Sequence, residues 1–257
     1  MTGPTLAATY TSPLNTTASP KTVNINTSAG DVLVVMAVSE GTNPWSSTNP
    51  SGVTGSSFSR LQSGSGANTA GAGAWKTKVV TGGSYTVTLT CSDQVWGYLV
   101  YRFSGADDIG ASSIVNASGA PSLGLTTTEA NSAICYINAD FNESSVGSRT
   151  WRAVNSITPT SGNGYEKIGQ LVSSHYAVFS AYWPDAGAAG AKTTGLSAPS
   201  GQQGYAIAVE VLAGEAAGLI VPVRAGGLGV DATPKCRVAG EWVAPSAVKR
   251  RVSGAWV

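Results

Sequence analysis

One histidine, one adjacent pair of aspartates and three cysteines are the residues of this 257-residue chain whose types suggest chemistry. His175 stands in SSHY at the start of a strand pattern, where a satisfied structural imidazole is expected rather than a general base. Asp107 and Asp108 resemble the paired carboxylates of a glycan-cleaving enzyme, yet within SGADDIG they suit a chain turning after a strand, and no second pair appears. Asp31, Asp93, Asp140 and Asp185 all sit beside strand ends, where turn chemistry accounts for them. No serine occupies a G-x-S-x-G elbow. Cys91, Cys135 and Cys236 are an odd number without metal-ligand spacing, so free thiols are expected and a disulfide is not. The sequence therefore calls for no catalytic residue, no metal and no cofactor. Trp45, in NPWSSTN, and Trp151, after a polar Ser/Gly stretch, are the candidate rings for glycan contact; the alternative is that they plug the ends of the fold. Trp75, Trp96 and Trp183 fall inside strand patterns and are expected to pack.

The elements that position these residues are strands. Charged residues make up 11% of the chain and Gly numbers 32, a bias toward short strands joined by turns. VLVVMAV at 32 to 38 is apolar on both faces, which predicts a central strand covered on each side. YTVTLT at 85 to 90 alternates, with Tyr85, Val87 and Leu89 inward and three threonines outward. Thr81-Gly82-Gly83-Ser84 reads as a hairpin turn joining it to the strand 74 to 80, and residues 1 to 17 read as a polar N-terminal arm.

VWGYLVYRFSG at 95 to 105 returns, altered, as GYAIAVEVLAG at 204 to 214. In the first copy Leu99, Tyr101 and Phe103 oppose Tyr98, Val100 and Arg102; in the second Ile207, Val209 and Val211 oppose Ala206, Ala208 and Glu210. The strands before each copy also repeat, 123 to 128 and 133 to 141 matching 22 to 26 and 32 to 38, and 176 to 183 matching 74 to 80. The expected fold is all-β, an antiparallel jelly-roll-like sandwich over 18 to 214 with an internal pseudo-repeat. Two tandem sandwiches are the alternative.

No apolar run is long enough to span a membrane, and MTGPTLAATYTSP lacks the features of a signal peptide, so synthesis in a cytoplasm without membrane insertion is expected. Residues 1 to 219 hold nine Lys/Arg and twelve Asp/Glu, whereas 220 to 257 hold six and two, which marks the tail 215 to 257 as a separate basic unit. It lacks zinc spacing and a helical basic face, so nucleic acid is not expected as a partner.

The succession GDVLVVMAVSE, NPSGVTGSSFSRL, AWKTKVV, YTVTLT, GYLVYRFSGADD and YWPDAGAAGAKTTGLSAPSGQQGYAIAVEVLAG resembles jelly-roll-like domains of virion proteins, such as minor tail proteins, from tailed phages of actinobacteria. The tail adds Arg224-x-x-Gly227-x-x-Val230, Arg237-x-x-Gly240-x-x-Val243 and Arg251-x-x-Gly254-x-x-Val257, the last two extended to KCRVAGEWV and KRRVSGAWV. Such Arg-Val-x-Gly-x-Trp repeats resemble the C-terminal tails of phage tail proteins; the first copy departs from them, with Gly229 in place of Trp. Two-residue turns at Ala239-Gly240 and Ser253-Gly254 would set Arg237 opposite Trp242 and Arg251 opposite Trp256, each copy a tiny hairpin. The expected docking residues are Arg224, Arg237, Val238, Trp242, Val243, Arg251, Val252, Trp256 and Val257. The resemblance implies a non-enzymatic minor tail protein, with a capsid decoration or head-fibre protein as the alternative and a glycan-binding module as the alternative from another class. Its implied partners are other virion proteins, further copies of itself, a trimer by analogy, and a host surface glycan.

Overall fold

The computed structural model describes residues 3–40, 48–66, 69–92, 95–141, 149–172, 176–199 and 203–214, and four short strands beyond them. The chain divides into two compact units, Met1–Gly214 and Glu215–Val257. The described residues contain no helix.

In the first unit the strands run β1 (Thr5–Thr11), β2 (Lys21–Thr27), β3 (Val32–Ser39), β4 (Ser59–Gly66), β5 (Thr69–Lys78), β6 (Gly83–Leu89) and β7 (Trp96–Ser104). They continue as β8 (Ala106–Ser118), β9 (Ser122–Thr127), β10 (Ala133–Asp140), β11 (Thr150–Trp151), β12 (Glu166–Val172), β13 (Tyr176–Trp183), β14 (Gly190–Ala198) and β15 (Gln203–Ala213). The first seven form an antiparallel row β1-β7-β3-β5-β4 and a separate pair β2-β6. The remainder form the row β8-β15-β10-β13-β12 and a smaller sheet β9-β14-β11. The order is the same in both halves, so the pseudo-repeat legible in the closing strands extends to the whole topology. A single parallel pair, Gly204 with Ala70, joins the two rows into one curled sheet. Gly204 is required there, because a Cβ would lie 1.9 Å from the Ala139 carbonyl oxygen.

The alternation of side chains across each pleat builds three apolar layers. Val32, Val34, Met36 and Val38 of β3 face Cys135, Ile137, Val178 and Val209 of the other row in a shared central core. On the opposite face of β3, Leu33, Val35 and Ala37 pack with Val23, Ile25, Val87 and Leu89 of the β2-β6 pair. Ile134, Tyr136 and Phe179 likewise pack under Leu123, Leu125 and Leu196 of the small sheet. The molecule is an antiparallel jelly-roll-like sandwich in which each central row also carries an outer layer. This is why every residue of β3, β10 and β13 is buried. The shared central core makes the halves one unit.

Two local expectations are corrected. Residues 5 to 11 belong to no free arm: β1 pairs along β7, from Thr5 with Ser104 to Thr11 with Leu99, past a register shift. Leu6 packs against the central core and Tyr10, four residues on, against the outer one, because the register shift between Leu6 and Ala8 turns the strand over. The Thr81–Ser84 turn closes no hairpin either, since β5 pairs with β3 and β4 whereas β6 pairs with β2. Val79 is tied to the next turn, donating to the Asp31 carbonyl and accepting from Gly30 N–H, both at 2.8 Å. The chain must therefore cross to the outer layer before β6 can start.

Candidate functional site

The C-terminal unit is described by itself. Its strands are β16 (Cys236–Val238), β17 (Glu241–Val243), β18 (Arg251–Val252) and β19 (Ala255–Trp256). β16 pairs antiparallel with β17, setting Cys236 opposite Val243, Arg237 opposite Trp242 and Val238 opposite Glu241. β18 pairs with β19, setting Arg251 opposite Trp256 and Val252 opposite Ala255. The two hairpins thus repeat one register, with an arginine directly across from a tryptophan in each. Hairpins of three and two residues per strand are too short to be stable alone in water. Arg224, Val257 and the expected turns at Ala239-Gly240 and Ser253-Gly254 lie outside the described residues.

In the sandwich, the residues with chemical potential are committed to structure. Lys76 donates to both oxygens of Asp108, at 2.8 and 2.9 Å, and Lys78 pairs with Asp107 at 3.3 Å. Burial alone would raise the Asp108 carboxyl, but the Lys76 hydrogen bond and the Ile109 backbone hold it below its ordinary value. Asp185 accepts from Gly187 N–H at 2.8 Å and Asp140 from Gln203 N–H at 2.7 Å, both turn or strand-end contacts. Asp31 does more than turn the chain: it accepts from Ser28 N–H at 2.7 Å and from Arg102 Nε at 2.5 Å. Cys91 and Cys135 are both buried, and burial pushes the Cys135 thiol well up. Among the described residues, no three His, Cys, Asp or Glu side chains converge as metal ligands. His175, Asp93 and Trp45 lie outside the described residues.

Trp151 is not an exposed platform for a sugar; of the two expectations for it, burial corrects glycan contact and agrees with a ring that plugs the fold. The residue is 4% exposed, its ring meets Tyr136 and Trp183 edge to face at 5.7 and 6.0 Å, and its Nε1 donates to Glu166 at 2.8 Å. Glu166 also takes the Arg149 guanidinium, and with these donors its carboxyl stays below the ordinary value despite burial. The three aromatic rings fill one end of the second outer core, and a tryptophan so placed has no face left for a ligand. Trp75, Trp96 and Trp183 are buried as packing residues.

Sequence reasoning missed Glu210 and Lys21. Glu210, on β15, is fully buried and accepts from the backbone N–H of Ala111, Thr128 and Glu129 at 2.8 to 3.2 Å. Burial raises its pKa, but these amides outweigh it and hold the carboxyl below its ordinary value. Lys21, at the start of β2, is buried with its ammonium donating to the carbonyls of Pro13, Thr16 and Trp96, 4.7 Å from the centroid of the Trp96 ring. Burial lowers its pKa to about 8. Both fasten backbone. Their partners are backbone groups, which leave no mark in a sequence.

Compared with family models, with curated proteins and with solved structures, the chain shows no significant match.

Proposed function

We propose that this protein is a non-enzymatic structural component of a tailed-phage virion, a minor tail protein whose sandwich projects from the particle and whose C-terminal hairpins dock it. The observation that carries the reading is the paired register of the hairpins, Arg237 across from Trp242 and Arg251 across from Trp256. A repeated unit too small to be stable unaided, basic and bearing tryptophan, makes sense when its apolar faces are buried on partner chains. Aromatic and arginine anchors of that kind carry a large share of interface energy. The sandwich supports the same reading from the other side, because its ion pairs, thiols and tryptophans serve packing and turns. In this proposal the partners are other virion proteins and further copies of the chain, a trimer by analogy with fibrous appendages. The chain would be made in the host cytoplasm. Imaging of particles carrying a labelled copy tests the placement: label at the tail or its tip is expected. Label on the head would favour a decoration or head-fibre protein, and unlabelled particles would remove the virion reading.

A further inference from the structure

A cleft of about 430 Å³ opens beside the start of β1, between Pro4 to Leu6 on one side and Tyr165, Lys167 and Tyr182 on the other. β1 and β12 are the two ends of the strand path, so the cleft lies where the curled sheet leaves its edges unjoined. Its floor is aromatic: Tyr182, buried in β13, meets the half-buried Tyr165 edge to face, 5.9 Å between centroids at 84°. Above that floor stands a cation. The Lys167 ammonium donates to the Gly164 carbonyl at 2.5 Å and sits 5.9 Å from the Tyr182 ring centroid.

Lys167, like Lys192, donates to a single backbone carbonyl and holds no described carboxylate, whereas five other cations of the sandwich are taken up within it. Lys76, Lys78, Arg102 and Arg149 each hold a carboxylate, and Lys21 is spent on three carbonyls. No described carboxylate lies within salt-bridge distance of Lys167, although burial already pulls its pKa below the ordinary lysine value. A partly desolvated ammonium with one carbonyl acceptor keeps two N–H bonds for a ligand, and an anionic ligand gains most from them. A half-exposed tyrosine ring, Tyr165, beside a few polar groups in a cleft of this size suits a small ring-shaped ligand with one apolar face.

We propose that this cleft binds a carboxylated sugar, a uronic-acid unit of a surface polysaccharide, its ring against Tyr165, which the buried Tyr182 backs, and its carboxylate on Lys167. The binding claim does not depend on the virion proposal, since it concerns the intact chain and a free sugar. The test is calorimetric titration of the full chain with a disaccharide ending in glucuronic acid and with its neutral glucose counterpart. The acidic sugar is expected to bind about tenfold or more tighter than the neutral one, the scale of one charge-assisted contact. Lys167→Gln should erase that difference while leaving the melting temperature unchanged, and Tyr165→Ala should weaken both sugars. Equal binding of the two sugars, no heat from either at millimolar concentration, or binding indifferent to both substitutions would overturn the proposal.

Discussion

The two halves of the sandwich share one topology and fasten the same turn to the same strand with opposite chemistry. In the first half, the turn before β3 carries the acid: Asp31 caps Ser28 and takes Arg102, which lies opposite Leu33 on β7. In the second half, the strand carries the acid: Glu210 lies opposite Ile134 on β15 and reaches the amides of Thr128 and Glu129 in the turn before β10. Gly30 and Asn131, both with positive φ, occupy the matching corner, one in each half. The difference teaches that the fold demands a polar tie at this corner and leaves its chemistry free. An ion pair with an arginine 20% exposed at its side chain can fall back on water, whereas a carboxylate buried among amides cannot.

Substitutions should separate the two ties. Glu210→Ala takes a buried charged acceptor from the amides of Ala111, Thr128 and Glu129, and about 2–3 kcal/mol of stability is expected to be lost in denaturant unfolding. Gly110→Ala should damage the same tie, because a Cβ there would lie 2.3 Å from the Glu210 carboxylate. Asp31→Ala, by contrast, is expected to cost about 1–2 kcal/mol, since Arg102 regains solvent. Equal losses in the two halves would break the comparison.

Proton linkage sharpens it further. The lowered Glu210 pKa means that the unfolded state takes up a proton first on acidification; the stability this group adds is full above its unfolded value and is lost as pH falls through the folded one. The acid limb of a stability profile should therefore flatten in Glu210→Gln. Lys21 acts at the other end with the same slope: its pKa is lowered to about 8, so between there and the ordinary value of 10.5 the unfolded state holds more protons, and stability rises with pH. Lys21→Met should remove that rise. A profile unchanged by either substitution contradicts the assigned roles. The smallest effect is expected at the surface pair Lys78–Asp107, where Asp107→Asn should shift stability by less than about 1 kcal/mol.

The strands were legible because burial on two faces leaves a two-sided apolar pattern, as in Val32 to Val38, and burial on one face leaves alternation, as in Tyr85 to Leu89. The sequence of β1 also alternates, yet its threonines and alanines suit an edge strand and a free arm equally, so only its pairing with β7 decides. Trp151 follows a polar stretch that suggests exposure, and its burial depends on Tyr136 and Trp183, which arrive from other strands. The cleft was hidden for the same reason: Pro4, Lys167 and Tyr182 meet only once the sheet curls. The tail was legible because its repeat is local, so the opposition of Arg237 and Trp242 follows from turn length alone.

The central claim is that Glu215–Val257 is what docks the protein, and the most direct measurement is recovery of the chain with purified particles, intact and ended at Gly214. The shortened chain is expected to keep its melting curve, because the three apolar layers all lie within Met1–Gly214, while its recovery falls to background. Trp242→Ala with Trp256→Ala should lower recovery in the same direction. A shortened chain that remains folded and is recovered with particles as fully as the intact one would contradict the account.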